Sequence, residues 1–466
     1  MHRAALTAAL VSPLRPASRG GTPPGPRPDY PGQFVVELVR DPIGLLERVA
    51  AYGDVAQIKI GPQRLVVVRH PDEIRRVLVT DQRSYTKGRG LERSKLLLGS
   101  GLLTSEGEAH LRQRRLVQPA FHRDRIAQYG RVMVDYAREA TAQWRSGQVV
   151  DLYQEMMRLT LRIAGRTLFD TEMADTADEV TSTIALSLQA FRYAILPFGH
   201  LVERIPLPWL RRLRRGRVRM NDILYGMIAE RRASGTDRGD LLSMLLLATD
   251  ADGDGAGLSD QQVRDEVITL LAAGHETTAV ALTWTWYLLS QHPAVERELQ
   301  AELDTVLGER APTVADLDQL VYTRWVFTEA MRLYPPAWVI ERRAVRDVTL
   351  GGYQIPAGAL VLVSQYLAHR DRRWYGDPSS FEPHRWAPGA ERERPKFAYF
   401  PFGAGTRACI GEAFAWMEGT LLLATIARGW QMRHDIAHEV GLEPLITLRP
   451  RHGMRMVLRA RGSPLT

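Results

Sequence analysis

The stretch that decides the fold is FGAGTRACIGE, residues 402–412, in which three glycines surround Cys409. An apolar run with helical spacing follows and ends at Gly429. The sequence therefore predicts a glycine-rich loop that leads into a helix. Cys409 is the only cysteine, and a lone cysteine is by default an inert buried residue. At the start of a helix, however, the dipole and the free backbone N–H groups favour a reactive thiolate.

Five positions of this stretch form the pattern F-x-x-G-x-R-x-C-x-G: Phe402, Gly405, Arg407, Cys409 and Gly411. The pattern resembles the haem-binding signature of the cytochrome P450 family, and every fixed position matches. The resemblance implies that Cys409 is the axial ligand of the iron in haem b (iron protoporphyrin IX), with Phe402, Arg407 and Gly411 beside the cofactor. A thiolate suits haem iron that must cleave an O–O bond. The alternative is a purely structural cysteine.

The composition is that of an ordinary globular chain, with 45% hydrophobic and 24% charged residues in a length of 466. The 61 basic and 53 acidic residues give a net charge of +8. Because the basic residues are spread along the chain, nucleic acid is not expected as a partner, and an acidic electron donor fits the charge at least as well. A single cysteine excludes an intrachain disulfide and so a disulfide-stapled secreted fold.

Residues 1–30 are rich in Pro, Gly and Arg and are predicted to be a flexible N-terminal segment. Residues 31–466 are predicted to form one domain because no strong linker interrupts them. The apolar run before Pro13 is much shorter than the roughly 18–20 residues that span a bilayer. We therefore expect a soluble, cytoplasmic protein.

The expected fold class is mainly α with minor β (α+β), in a single domain. A helical pattern begins at Asp41, and residues 55–60 and 64–69 are predicted to pair as a hairpin. Further strand-rich patches lie near residues 347–364 and 444–459.

The longest predicted helix begins at Ser259, which forms a capping box with Gln262, and stops before Pro293. Its length of about 50 Å is enough to cross the whole molecule. The middle of this helix reads AGHETT, residues 273–278. A glycine and two threonines cost helix stability there, and this local penalty requires an explanation.

The AGHETT segment resembles the oxygen-binding groove of the same family, on a long central helix that crosses the haem. The resemblance implies that Gly274 opens room beside the helix for O2. It also implies that Glu276 and Thr277 form an acid–alcohol pair for proton delivery, which needs a carboxyl group that reloads from solvent and a hydroxyl that relays. The alternative is a threonine that bonds back to a carbonyl of its own helix.

Glu329 and Arg332 are three residues apart in FTEAMRLYPP and share one face of a predicted helix. Alone, such a pair is usually a solvated surface pair. Its position upstream of the Cys409 loop resembles that of the family's E-x-x-R element, and FEPHRW resembles the family's intervening arginine element. The resemblance implies that Glu329, Arg332 and Arg385 form a buried structural triad that serves folding and haem retention.

Basic residues that can bind carboxylates lie in a further segment, HLRQRR, residues 110–115. His110 and Arg114 are four apart, on one helix face, and anionic haem propionates need such donors. The family usually has a similar pair here, so the resemblance implies that His110 and Arg114 bind the propionates, with help from Arg407 and Arg342. The alternative for each residue is a solvated surface base.

The resemblance covers nearly the whole chain and implies a haem-dependent monooxygenase that inserts one atom of O2 into an apolar small molecule. No flavin or iron–sulfur domain is visible, so we expect electrons from a separate ferredoxin or flavodoxin with an NAD(P)H reductase. A terpenoid- or carotenoid-type hydrocarbon of secondary metabolism is the first expected substrate class, and a fatty acid the second. The pocket is expected near residues 84–103, 185–210, 266–277 and 335–341.

Two other classes of haem-thiolate protein stay open as alternatives. One is a non-catalytic sensor, which needs no oxygen-binding groove, and the other is a peroxide-driven enzyme, which needs no acid–alcohol pair. Glu276 and Thr277 therefore argue against both.

Residues 205–219 join a short apolar stretch to a run of arginines. The ordinary interpretation of such a run is a solvated helix face. A second hypothesis is peripheral contact with an anionic membrane, because an apolar lip beside basic residues can enter the bilayer surface.

Overall fold

The computed structural model describes residues 21–170, 183, 186, 208–249, 255–390 and 394–462. Helices dominate these ranges and the strands are short, so the expected α+β class is confirmed. The helices are α1 Gln33–Arg40, α2 Pro42–Ala50, α3 Pro71–Arg75, α4 Arg89–Leu98, α5 Gly107–Val117, α6 Arg123–Ala142, α7 Leu152–Phe169, α8 Pro208–Ser234, α9 Leu241–Leu247, α10 Asp260–Gln291, α11 Pro293–Leu307, α12 Val321–Leu333, α13 Gln365–Ala368 and α14 Glu412–Gly429.

The strands are β1 Val55–Ile60, β2 Gln63–Val68, β3 Tyr85–Lys87, β4 Val149–Asp151, β5 Ile340–Ala344, β6 Val348–Leu350, β7 Tyr353–Ile355, β8 Leu360–Val363, β9 Trp430–His434, β10 Leu442–Pro444, β11 Leu448–Pro450 and β12 Arg455–Ala460. The predicted hairpin and both strand-rich patches are confirmed to within a few residues. The strands β3, β4, β5 and β9 were not predicted.

The largest sheet has the strand order β1-β2-β8-β5-β3. Its one parallel pair, β2 with β8, lies inside, and all four residues of β8 are buried, as expected for an unbroken apolar run in a covered strand. The antiparallel pairing of β3 with β5 brings residues 85–87 against residues 342–344. This long-range pairing positions basic side chains that are far apart in the sequence.

The N-terminal segment is partly packed against the domain. Gln57 of β1 donates a backbone hydrogen bond to Pro24 O at 2.8 Å. A Cβ on Gly25 would stand 1.7 Å from Gln57 O, so the chain runs close to the strand there. The expectation of flexibility over all of residues 1–30 therefore does not hold for residues 24–25, and residues 1–20 lie outside the described residues.

Helix α10 is the central element of the fold. Ser259 and Gln262 form the predicted capping box, and the 32 residues of the helix measure about 48 Å. Buried residues occur on all its sides, including the fully buried Trp284 and Trp286, which is typical of a helix enclosed by a core. Helices α7 and α12 and strand β9 pack against it.

The three residues of the predicted triad contact one another, and two of them, Glu329 and Arg332, lie on α12. Arg332 is fully buried and donates through Nε and one terminal nitrogen to the two oxygens of Glu329, both at 2.8 Å. Its other N–H groups donate to the carbonyls of His369, Pro378 and Ser380 at 2.8–2.9 Å. Arg385 Nε donates to the same Glu329 carboxylate at 3.3 Å. The contacts join α12 to the segment that leads to Cys409, and a role in haem retention stays a prediction.

Candidate active site

The loop before α14 forms a closed turn that presents Cys409. Gly403 and Gly405 have φ angles of 67° and 74°, a left-handed conformation that residues with side chains rarely adopt. At Gly405 a Cβ would also stand 2.1 Å from Leu78 O, so only glycine fits there. The Cys409 N–H closes the turn by donating to Phe402 O at 2.9 Å. The position of the sulfur is therefore tightly constrained.

Cys409 lies three residues before α14, and Gly411 caps that helix. Its side chain is open to the central cavity, yet it lies deep in the molecule. Burial raises the pKa of the thiol, and the Gly411 N–H and the Arg114 guanidinium lower it by less. Burial thus outweighs the helix start in the pKa of the free thiol, and a thiolate at Cys409 stays a prediction. A bound metal cation deprotonates a thiol that coordinates it.

A cavity of about 1440 Å³ lies between Cys409 and the middle of α10. Pockets for one small molecule usually measure about 300–1,000 Å³. The cavity therefore has room for a flat cofactor and a second molecule beside it. Phe402 and Ile410 line it near the cysteine, and Leu270 and Ala273 line it on the helix.

The predicted groove residues of α10 all line this cavity. Apart from its chain neighbours and the backbone of its own helix, no described atom lies within 4 Å of the point where a Cβ on Gly274 would stand, so space is open beside the helix. Thr277 Oγ1 donates to Ala273 O at 2.8 Å. The back-bonded threonine that was the alternative is thus what the structure contains, although the side chain still faces the cavity.

Glu276 is buried and accepts a hydrogen bond from Thr447 Oγ1 at 2.7 Å. Burial raises the pKa of this carboxyl group, which favours its protonated form. Glu276 is thus the neighbour in sequence of the cavity-facing Thr277, but its carboxyl group points toward the β10–β11 segment.

Five basic side chains share one electrostatic neighbourhood, and three of them, Lys87, Arg342 and Arg407, line the cavity. Burial first, and then the charges of the other four, lower the pKa of His110 to about 4. Arg114 donates to Ala408 O at 2.7 Å, and Arg407 donates to Glu106. The five are Lys87, His110, Arg114, Arg342 and Arg407. The four that the sequence predicted are thus brought together.

Lys87 is the member of this cluster that the sequence analysis missed. It lies on β3 directly opposite Arg342 of β5, and like charges in that arrangement destabilise a strand pair. Its Nζ donates to Leu102 O at 2.9 Å and Ser105 O at 2.6 Å, and burial lowers its pKa to about 7. The pairing of β3 with β5 is the signal that identifies it, and no local motif carries that signal.

These groups suit a flat iron cofactor with carboxylate substituents. The Cys409 sulfur can ligate a metal in the cavity, and the open space at Gly274 lies on the facing helix. The cationic cluster lowers the pKa values of its own members, so an anion placed among them would relieve their repulsion.

Comparison with known proteins decides the family. The family model described as "Cytochrome P450" matches residues 45–444. The chain belongs to the cytochrome P450 family. It is therefore a haem-dependent monooxygenase with a haem-thiolate iron cofactor. P450 monooxygenases need electrons from a redox partner and act on apolar substrates.

The relatives of this P450 cover most of its length. Cyclooctatin synthase of Streptomyces melanosporofaciens is 43% identical over 88% of this chain and 90% of its own. Cyclooctat-9-en-7-ol 5-monooxygenase of the same organism is 40% identical over 89% of both chains. Pentalenene oxygenase of Streptomyces avermitilis is 36% identical over 95% of this chain and 97% of its own.

The crystal structure of the cytochrome P450DA haem domain superposes with a TM-score of 0.83. It is 27% identical and covers 96% of this chain and 99% of that one. The expected P450 fold and reaction class are thereby confirmed.

The predicted pocket segments account for part of the P450 cavity. Lining residues occur within residues 87–98, 270–277 and 336–341, whereas most of residues 185–210 lies outside the described residues. Residues 443–447, which lie outside the predicted segments, contribute a further part of the lining. They are brought to the cavity by the pairing of β10 with β11.

The described part of residues 205–219 weakens the membrane hypothesis. Leu210 and Leu213 are buried, so these two side chains are not presented to a bilayer, whereas Trp209 is half-buried and Val218 is exposed. Residues 205–207 lie outside the described residues. Within the described ranges, every helix is too short or too polar to cross a membrane.

His275, in the middle of the groove, makes the unfolding of this P450 sensitive to acid. Its Nδ1 donates to Leu271 O at 2.7 Å, and burial lowers its pKa to about 4 from an ordinary value near 6.5. Between these values the unfolded chain binds a proton that the folded chain does not. The free energy of unfolding therefore falls as the pH falls from 6.5 toward 4, by up to about 3 kcal/mol for this group.

Urea unfolding at pH 7 and pH 5 checks this expectation. His275→Gln should lose a measurable part of the drop in midpoint between the two pH values. His452→Gln is the control, because His452 is exposed. An unchanged drop in His275→Gln contradicts the assignment.

Proposed function

We propose that this P450 oxygenates a terpenoid-type hydrocarbon, with fatty acids as the second substrate class. The observation that carries the proposal is that three relatives, matched over 90%, 89% and 97% of their lengths, are named for cyclooctatin, cyclooctat-9-en-7-ol and pentalenene. The apolar cavity lining supports it, because the side chains that line the cavity include Leu270, Ala337, Val339, Ile340, Leu445 and Ile446. A ring-shaped hydrocarbon offers such walls no polar group that must be desolvated.

Cys409 is proposed as the axial ligand of haem b. The proposed carboxylate-binding donors are His110, Arg114, Arg342, Arg407 and Lys87, and Phe402 and Gly411 lie beside the cofactor. Bound haem supplies the redox and oxygen-activating chemistry. The chain itself contributes an enclosed apolar cavity and a fixed orientation of the substrate.

Protons are proposed to move through α10. Glu276 is the acid that holds a proton, Thr277 Oγ1 is the hydroxyl that passes it into the cavity, and Gly274 leaves the space in which O2 fits. The raised pKa of Glu276 supports this order, because a protonated acid is the form that can give a proton away.

The proposed electron donor is a ferredoxin or flavodoxin with an NAD(P)H reductase. The net charge of +8 suits a small acidic carrier. A cytoplasmic location, where NAD(P)H is available, belongs to the same proposal, as does a catalytic domain of residues 31–466. Nucleic acid has no part in it, and membrane contact through residues 205–219 stays a hypothesis.

Substrate titration tests the proposed class. We expect cyclic terpene hydrocarbons and their mono-alcohols to shift the haem absorption from low spin to high spin, because a bulky apolar molecule displaces water next to the iron. Fatty acids of similar carbon number form the comparison set. Spin shifts that occur only with fatty acids would overturn the preference for terpenoids.

Thr277→Ala tests the proton path. With NADH, a surrogate ferredoxin and its reductase, we expect product formed per NADH oxidised to fall by about tenfold or more, because acid–base groups contribute about 10²–10⁴-fold. Oxidation of NADH should continue. Thr305→Ala is the matched control, since Thr305 makes the same back-bond to Ala301 O at 2.8 Å on an exposed surface. Full coupling in Thr277→Ala would rule out this role.

A further inference from the structure

A hydroxyl outside the P450 signature motifs holds the proposed proton donor. Thr447 Oγ1 donates to Glu276 Oε1 at 2.7 Å, and Thr447 is only 4% exposed. Thr447 lies between the paired strands β10 and β11. These strands and their connection, residues 442–450, are called the 442–450 hairpin. The bond joins this hairpin to the middle of α10.

The hairpin is itself fixed on both sides of Thr447. Trp338 Nε1 donates to Leu445 O and Trp284 Nε1 donates to Leu448 O, both at 2.8 Å. Leu448 N donates to Pro336 O at 2.9 Å. Because two buried indoles hold the carbonyls that flank it, Thr447 is a rigid support for the carboxyl group.

The surroundings of the acid also come from this hairpin. Glu443 stands opposite Arg449 in the β10–β11 register, and Arg449 Nε donates to Glu443 Oε2 at 2.7 Å. The two charges act on Glu276 in opposite directions, since Arg449 favours its ionised form and Glu443 opposes it. Because Arg449 is paired with Glu443, the contact that orients the Glu276 carboxyl group is the hydrogen bond from the Thr447 hydroxyl.

The tip of the hairpin borders the same cavity as Glu276. Leu445, Ile446 and Thr447 line it together with Glu276 and Thr277. A molecule in the cavity can therefore contact the hairpin tip and, through the hydrogen bond from Thr447, affect the orientation of the Glu276 carboxyl group.

We infer that Thr447 is a positioning residue for proton supply, which holds the Glu276 carboxyl group against the 442–450 hairpin so that the tip bordering the substrate sets the orientation of the acid. The inference rests on the proposed role of Glu276 as proton donor. A substrate that presses on Leu445 or Ile446 acts on proton delivery through this bond. Thr447 need not touch a reacting atom to do so.

Thr447→Val removes the hydroxyl and keeps the branched shape, and Thr447→Ser keeps the hydroxyl. With the surrogate redox partners, we expect Thr447→Val to lower product per NADH roughly two- to tenfold, the factor that loss of one hydrogen bond corresponds to. Thr447→Ser should stay near the parent value. Thr283→Val is the control, because the buried Thr283 bonds only to Ala279 O of its own helix among the described residues, at 2.7 Å.

Infrared difference spectra provide a readout that does not depend on turnover. The C=O band that Glu276→Gln removes at mildly acidic pH identifies the protonated acid. We expect this band to move to higher frequency in Thr447→Val, where the donor to the carboxyl oxygen is missing, and to stay in place in Thr447→Ser. Urea midpoints and haem content show that the variants fold, and Thr447→Ala replaces the valine variant if it does not.

The double variant Glu276→Gln/Thr447→Val separates the two roles. If Thr447 acts through the acid, the double variant couples no worse than Glu276→Gln alone. An unmoved band in Thr447→Val, a serine variant that behaves like valine, or additive losses in the double variant overturn the positioning role. Full coupling in Glu276→Gln instead overturns the proposed proton donor itself.

Discussion

The rest of the structure depends on one closed turn, in which two glycines of positive φ and a backbone bond to Phe402 present the Cys409 sulfur to a buried cavity. Only glycine can approach Leu78 O as Gly405 does. The triad of Glu329, Arg332 and Arg385 supports the segment that leads into this turn. The fold therefore uses buried ionic contacts to position a single ligand atom.

The charged and ionisable groups on the walls of the cavity complement those of the family's cofactor. A buried thiol whose pKa is raised lies on one side, and basic side chains, with Lys87 opposite Arg342, crowd one edge. A metal cation at the sulfur and carboxylates at the edge would compensate both. On the helix wall, burial raises the pKa of Glu276 and lowers that of His275, and both shifts favour the neutral form, which suits an apolar substrate.

Local motifs allowed much of this to be predicted. The capping box of α10, the turn around Cys409 and the Glu329–Arg332 pair are set by residues within a few positions of one another. Lys87 was missed because the pairing of β3 with β5 brings it to Arg342 from a distant part of the chain. Thr447 was missed because its partner, Glu276, is 171 residues away on α10. The raised pKa of the free Cys409 thiol follows from its depth below the surface, which cannot be read from a local motif. A thiolate at this position stays a prediction.

The ligation of haem iron by Cys409 is the central claim, and the absorption spectrum of the reduced carbonyl complex tests it most directly. The account predicts that the purified chain, reconstituted with haem, gives the red-shifted Soret band of thiolate ligation. Cys409→Ser should lose that band while circular dichroism shows the same helical content. A folded parent protein that binds haem without the red-shifted band, or a serine variant that keeps it, would contradict the account.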